Sequence, residues 1–340
     1  MGKRKGSGRA TITDVAEHAK VGAITVSRML RDPSKVSDKL RTRIEQSITT
    51  LNYTPDPKAR ALASGQADII GVLIPSISNN VFADTLRAIH DGIKGTPYQV
   101  LIGNTRYDPQ EEDRLISLFL GHRPAALIVA GIDQSEKSVN LLYEAKIPIV
   151  QIYETGDKPI DMNIGLSHIA AGQAMTEHLL EQSFCKIGYL AARMDPRMER
   201  RLESYRSMLK PLDLYDPRRV ILTEKASSVN CGRTLMRKLL DNAPDTDAVI
   251  CANDDIALGA LFECQSQGIL VPDQIGLIGF NDFEMMSAAY PSLTSVRTNR
   301  YKIGQLAIEA IFQRLKGETP EHNQIDIGFD LIQRDSTTRK

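Results

Sequence analysis

The 340-residue chain carries 42 Lys+Arg against 42 Asp+Glu, with 42% hydrophobic and 25% charged residues. That length allows two or three domains with cores of their own, and the composition excludes a largely disordered chain. No apolar run approaches the ~20 residues that cross a bilayer, and no apolar segment follows the basic start to make a secretory leader, so a cytoplasmic protein is expected.

The zero net charge is an average over unlike parts. Residues 1–66 hold 13 basic and 6 acidic side chains, a net of +7, while the remainder holds 29 and 36, a net of −7. A small basic module on a larger acidic body suits a protein with one end meeting a polyanion, although a solvated basic tail gives the same charge. Cys185, Cys231, Cys251 and Cys264 are spaced for neither a disulfide framework nor a metal knuckle, and read as small core residues in a reducing compartment.

In the basic module Thr11 can cap a helix, and Asp14 follows in the first turn, where the helix dipole favours a carboxylate. Ile12, Val15, Ala16 and Ala19 share one face of that helix. Lys20-Val21-Gly22 is long enough only for a tight turn. A second helix from Ala23 to Leu30 turns Val26, Met29 and Leu30 inward, and Arg31-Asp32-Pro33 stops it. Ser37 is placed to cap a third helix running to about Leu51. Two short helices joined by three residues, with a third across them, make a helix-turn-helix whose second helix enters the major groove of DNA.

From Ala67 the pattern changes to short apolar runs alternating with helical segments. Strands are predicted at 69–74, 100–102, 125–130 and 147–152, with an amphipathic stretch at 80–94 and helices near 110–122 and 136–146. A second set begins near Asn163, with strands at 187–190, 220–222, 248–251 and 275–279 and helices near 170–182, 199–209, 231–240 and 256–267. The alternation implies an α/β fold with two parallel sheets and a ligand in the cleft at the strands' C-terminal ends. Enzyme signatures are missing. Gly6-Ser7-Gly8 follows a basic tail instead of a strand, neither a phosphate-binding GxxxxGK[ST] nor an HExxH occurs, and the six histidines are dispersed. Asn253-Asp254-Asp255 could be an acid/base pair, but a helix N-cap is the simpler role for one of them. No catalytic residue, metal or cofactor is expected.

The residues also carry a resemblance. Ile12-x-Asp14-Val15-Ala16-x-x-Ala19-x-Val21-x-x-x-Thr25-Val26-Ser27-Arg28, then Val36-Ser37 and Leu51-Asn52-Tyr53-x-Pro55, resemble the DNA-binding headpiece of the lac repressor family. Ala59-x-x-Leu62-Ala63 resembles its hinge helix, which orders on operator DNA and pushes a leucine into the minor groove. The resemblance implies base reading by Ala23, Ile24 and Arg28. Ala23 and Ile24 suit thymine methyls, and Arg28 can be bidentate to guanine. Thr25, Ser27, Arg31, Lys35, Ser37, Lys39 and Tyr53 are better placed as phosphate contacts, and Ala59 and Leu62 form the minor-groove hinge. The chain departs from the family where Lys20 replaces a turn glycine, Gly22 a serine cap, and Asp56-Pro57 an Asn-Arg pair. Gly22 is a tolerable cap, and losing the arginine should weaken phosphate contact.

The body resembles the same family through Asn253-Asp254-x-x-Ala257-x-Gly259-Ala260, Val271-Pro272-x-x-Ile275-x-Leu277-x-Gly279-Phe280-Asn281-Asp282 and Pro291-Ser292-Leu293-Thr294-Ser295-Val296. This implies a periplasmic-binding-protein-like core that dimerises along both subdomains. The domain plan is then a basic tail at 1–10, a helix-turn-helix at 11–55, a hinge at 56–66 and a core at 67–340. Within the core, one subdomain is expected at about 67–161 plus 293–319 and the other at 162–292 plus 320–340. The stretch 74–89, Phe262-Glu263-Cys264-Gln265 and Ile327-Gly328-Phe329 look most like gluconate-utilisation repressors. Carried over by position, the effector contacts are Ser76, Phe82, Arg201, Asn253 and Asn281. An arginine fork suits a carboxylate and the asparagines suit hydroxyls. Asn281, where the family often has Asp, removes a negative charge and favours an anionic effector. Nothing is carried over at Ser167-His168, where the family pattern differs.

The expected function is therefore a dimeric transcriptional repressor of carbohydrate-utilisation genes, released from a near-palindromic operator by a sugar or sugar-acid effector such as gluconate. A regulator of the same fold that needs a corepressor or a partner protein is the alternative. A sugar-binding or sugar-modifying protein with a basic tail is the alternative of a different class. No heptad follows Leu331, so a coiled-coil tetramer is not expected.

Overall fold

The computed structural model describes residues 10–54, 67–319 and 321–339, which fall into two compact units divided after Asp68. The hinge residues Ala59 and Leu62 and the side chain of Arg31 lie outside the described residues.

The N-terminal unit is three helices, α1 (Ile12–His18), α2 (Ala23–Arg31) and α3 (Asp38–Thr50). Thr11 starts α1 with a reciprocal cap. Its hydroxyl accepts from the Asp14 amide at 3.3 Å, and the Asp14 carboxylate accepts from the Thr11 amide at 2.7 Å. The turn passes through Lys20 at φ +49°, a left-handed conformation that costs a residue with a Cβ more than it costs glycine. Gly22 begins α2 without a side-chain cap. Ser37 stands at the N-cap of α3, yet its side chain makes no capping bond, so the expected serine cap is positional only. Val15, Ala16, Ala19, Val26, Met29 and Ile44 form the small core.

The second unit holds two six-stranded sheets. In chain order its strands are β1 (Ile69–Ile74), β2 (Gln99–Asn104), β3 (Ala126–Ala130), β4 (Ile149–Ile152), β5 (Met162–Gly165), β6 (Ile187–Ala192), β7 (Val220–Thr223), β8 (Ala248–Cys251), β9 (Gly276–Asn281), β10 (Thr294–Arg297), β11 (Gln324–Asp326) and β12 (Asp330–Ile332). Its helices are α4 (Ala83–Gly92), α5 (Pro109–Gly121), α6 (Glu136–Glu144), α7 (His168–Glu181), α8 (Pro196–Leu209), α9 (Val229–Asn242), α10 (Asp254–Ser266), α11 (Glu284–Ala288) and α12 (Arg300–Leu315). The first sheet runs β11-β5-β4-β3-β1-β2 and the second β12-β10-β9-β8-β6-β7. All the pairings are parallel except β10 with β12, so the second sheet is mixed.

Continuous burial along β4, β6, β8 and β9 follows from helices covering both faces of each sheet. Ile70, Val72, Ile128 and Ile152 pack on Ile303, Ala307 and Ile311 of α12, while Leu73, Leu127 and Val129 meet Leu115 and Phe119 of α5 on the other face.

The sheet pairings correct the expected subdomain boundaries. β5 pairs with β4, so the chain stays in the first subdomain through Gly165 instead of leaving at 161. β10 pairs with β9, so the return comes after Arg297 instead of at 293. β11 pairs with β5, so the last crossing follows Asp326 instead of 319. The motif at 325–327 falls on an edge strand and that at 294–296 on the strand next to one, and the sheet membership of both depends on long-range pairing that local periodicity does not carry.

Candidate functional site

On the N-terminal unit, the reading expected of α2 requires side chains that the core does not use. Val26 and Met29 are buried, and the opposite face presents Ala23, Ile24 and Arg28 to solvent, Ile24 being 76% exposed. A large aliphatic side chain left this open on a nine-residue helix has no apolar partner among the described residues of its own unit. Thr25, Ser27 and Tyr53 are half-buried at the edges of that unit, and Lys35, Ser37 and Lys39 are exposed. Lys35 pairs with Asp32 at 3.2 Å, a weak surface contact.

In the second unit, a cleft opens where the strands' C-terminal ends face each other, as expected for such sheets. Residues just beyond β1 supply Asn79 and Phe82, β2 supplies Tyr107, and β4 and β5 supply Tyr153, Leu166 and His168. Across from them, β6 supplies Asp195, Arg197 and Arg201, β8 supplies Asn253 and Asp255, and β9 and β10 supply Asn281, Phe283 and Thr298. Four of the five expected contacts, Phe82, Arg201, Asn253 and Asn281, therefore line one chamber. Ser76 lines the adjoining chamber, which shares Asn79, Tyr107, Met198, Asn253 and Asp255 with the first. The Ser76 hydroxyl is engaged by the amides of Ser78 at 3.3 Å and Asn79 at 3.2 Å, which shape the loop into the cleft.

Arg201 projects from α8 and is only 4% exposed. Its guanidinium stacks over Phe280, 4.1 Å from the ring centroid, and Nη2 donates to the Ala252 carbonyl at 3.2 Å. Nη1 lies 2.5 Å from His168 Nδ1, and Nε has no hydrogen-bond partner. Among the described residues no carboxylate forms an ion pair with Arg201, whereas Arg197 one turn earlier is paired with Asp195 at 3.0 Å. Burial lowers the Arg201 pKa, and burial together with the neighbouring Arg201 cation pushes the His168 pKa well below its ordinary value. Burial alone would raise the Asp195 carboxyl, but Arg197 and the Met198 amide outweigh it and hold it low. Asp195 also caps α8 through Met198, so one carboxylate fixes both the helix start and Arg197.

Asn253 is buried and is the N-cap of α10, accepting from the Ile256 amide at 3.1 Å and from Ser227 Oγ at 3.0 Å. Its oxygen is committed to the fold. Asn281 sits at φ +111° and Asp282 at φ +52°, two successive non-glycine residues in the left-handed half of the map. Arg300, at the start of α12, donates to the Asn281 carbonyl and reaches Asp84 of α4 at 3.1 Å, stacking on Phe283 as it does so. Tyr153, from the opposite wall, donates to Thr85 Oγ1 at 2.7 Å, and Thr85 donates to the Arg300 carbonyl at 2.8 Å. Both walls of the cleft are thus tied to the α4–α12 pair.

Two further contacts cross the mouth. Arg200 bridges to Asp133 at 2.5 Å and to Glu154 at 3.3 Å, and Arg193 lies 4.7 Å over the Tyr107 ring. Counting the groups that line both chambers, Arg193, Arg197 and Arg201 oppose Asp195 and Asp255, one cation in excess. His168, Asp195, Arg197, Tyr107 and Tyr153 were not anticipated as site residues. The Asp195-Pro196 helix start carried a local signal for one of them, since Asp at the N-cap before Pro places it at a strand end. The others depend on how distant segments meet.

No helix among the described residues is long and apolar enough to cross a membrane. Residues 11–56 match the family of bacterial regulatory proteins, lacI family, and residues 176–337 match a periplasmic binding protein-like domain. The HTH-type transcriptional regulator GntR of Pseudomonas aeruginosa is 37% identical over 97% of this chain and 96% of its own. The HTH-type transcriptional regulator IdnR of Escherichia coli K12 is 34% identical over 95% of this chain and 97% of its own. A LacI-family transcriptional regulator from Silicibacter pomeroyi superposes with a TM-score of 0.90 at 33% identity, covering 97% of this chain and all of that one.

Proposed function

The chain belongs to the lacI family of bacterial regulatory proteins and is a DNA-binding transcriptional repressor; from that premise we propose that it controls carbohydrate-acid utilisation genes and leaves its operator when a sugar acid, gluconate first among them, fills the cleft. The observation that carries the effector class is Arg201, buried without a carboxylate partner at the floor of a cleft with one cation in excess. A buried cation in that state is stabilised by a ligand that brings an anion, and a guanidinium fork matches a carboxylate better than it matches a hydroxyl. Phe82 offers an apolar wall, and Asn281 and Ser76 offer polar edges for a hydroxylated chain.

On DNA, the proposal assigns base reading to Ala23, Ile24 and Arg28 of α2. Thr25, Ser27, Arg31, Lys35, Ser37, Lys39 and Tyr53 grip the backbone, and Ala59 and Leu62 act in the minor groove of a near-palindromic site bound by a homodimer. Release needs only that the effector bind the weakly DNA-binding arrangement of the two subdomains better than the other, a difference of about 1–3 kcal/mol. The test is operator affinity measured with and without D-gluconate at fixed salt. Affinity should fall about 5- to 150-fold with gluconate, and should also fall steeply with salt in its absence. An affinity that gluconate leaves unchanged removes gluconate as inducer, and one that it strengthens makes the molecule a corepressor-dependent regulator instead.

A further inference from the structure

Arg201 keeps its charge unanswered because of what faces it. His168 is buried at the start of α7, its ring tilted against Phe280 with centroids 5.5 Å apart, on the ring that Arg201 also covers. Its two nitrogens meet partners of fixed role. Arg201 Nη1, 2.5 Å from Nδ1, can only donate, so Nδ1 must offer a lone pair. The Tyr153 carbonyl, 3.1 Å from Nε2, can only accept, so Nε2 must carry the hydrogen. Both contacts therefore demand the same neutral ring, and a second proton would set one N–H against another. The charged groups around the ring add no opposing demand. Arg197 and Arg200 are cations, and Glu154 turns one carboxylate oxygen to the His168 backbone amide at 3.4 Å and the other to Arg200.

Resting on the sugar-acid reading above, we propose that His168 is a positioning residue that makes the cleft select anions: it orients Arg201 by accepting one of its hydrogen bonds and contributes no counter-charge. A carboxylate in its place would hold the guanidinium equally well and neutralise it, leaving a pocket for uncharged sugars. With a neutral acceptor, the counter-charge has to come from the ligand. The inferred ligand is a polyhydroxylated monoanion whose carboxylate reaches Arg201, as in an open-chain aldonate, with Phe82 and Asn281 along the carbon chain.

The experiment has an arm that needs no ligand. In protein labelled with ¹⁵N-histidine, His168 should show a protonated Nε2 and a bare Nδ1 at every pH from 8 to 5. A ring doubly protonated at pH 7 overturns the proposal. In the second arm, calorimetry compares D-gluconate with sorbitol, its uncharged counterpart, and adds glucuronate and 6-phosphogluconate as further anions. Wild type should prefer its best anion over sorbitol by at least about thirtyfold, the scale of leaving a buried charge unpaired. His168→Asn, neutral with one acceptor and one donor, should stay within about fivefold of wild type. His168→Asp should bring the preference down to a few-fold. A wild-type cleft that binds glucuronate or 6-phosphogluconate but not gluconate corrects the effector and leaves the His168 assignment standing. A wild-type cleft that prefers sorbitol overturns both. An aspartate variant that keeps the full anion preference overturns the role of His168 alone.

Discussion

Asp254 is a carboxylate the fold holds out of water. It is fully buried at the first position of α10, where its oxygens accept from the Phe283 amide and from Ser295 Oγ, each at 2.7 Å. Burial pushes its pKa up to about 7, against an ordinary value of 3.8. Between those two values the native protein holds a proton that the unfolded chain has released, so stability falls as pH rises from about 4 to about 7. At 1.36 kcal/mol per unit, the effect is on the order of a few kcal/mol. Asp254→Asn should therefore flatten the decline. Thermal midpoints measured from pH 5 to 8 should drop less for the variant than for wild type, and parallel curves would contradict this. Asn253 and Asp254 also show what residue types disclose. A helix cap was legible at this site because an Asn preceding an apolar periodic run satisfies free amides, and Asn253 does so. The strain at Asn281 and the pairing of His168 with Arg201 were not legible. Each depends on residues 19 to 33 positions away in sequence meeting in space.

Among the elements, α9 and α10 pack most intimately, and two glycines permit it. A Cβ on Gly259 would lie 2.1 Å from the Val229 carbonyl oxygen and 2.7 Å from both the Arg233 amide and Gly232 Cα, all of them backbone atoms that cannot rotate aside. Gly259→Ala should then cost at least about 2 kcal/mol through overpacking, read as a lower urea midpoint. Gly121→Ala, where nothing lies within 4 Å, is the matched control and should change stability little. Equal losses for the two would show that the close approach is not what the glycine serves. Element recognition from sequence followed burial geometry. Helices with one apolar stripe, such as α1 and α9, were legible, as were strands buried on both faces. α12 was passed over although Ile303, Ala307 and Ile311 recur every four residues on one face and Lys302, Gln305, Glu309 and Gln313 are exposed on the other. β10 to β12 are too short for periodicity to register, and only their partners make them strands.

At the scale of the whole molecule, the division of charge between residues 1–66 and the rest, +7 against −7, lets a chain of zero net charge approach DNA by one end. The two-sheet fold followed from the alternation of strands and helices, and its crossings did not. The chain passes between subdomains after Gly165, Arg297 and Asp326, so each half is assembled from separate stretches. The segment after the last crossing is anchored as firmly as any core. Ser336 and Thr337 are fully buried, with Ser336 Oγ donating to the Leu277 carbonyl at 2.6 Å and Thr337 Oγ1 lying 2.8 Å from His178 Nε2. This bears on the order in which the protein comes off the ribosome. β11 and β12 complete the two sheets within nine residues of each other, so both sheets lack a strand until the end of the chain is made. A chain halted at Gly317 should carry a finished N-terminal unit on a body that proteases digest throughout 69–317. Resistance of that stretch to brief proteolysis would show that the late strands are dispensable. A broken message would thus yield a product with a complete three-helix unit and an unfinished sensor, a combination the cell's own proteases are well placed to clear.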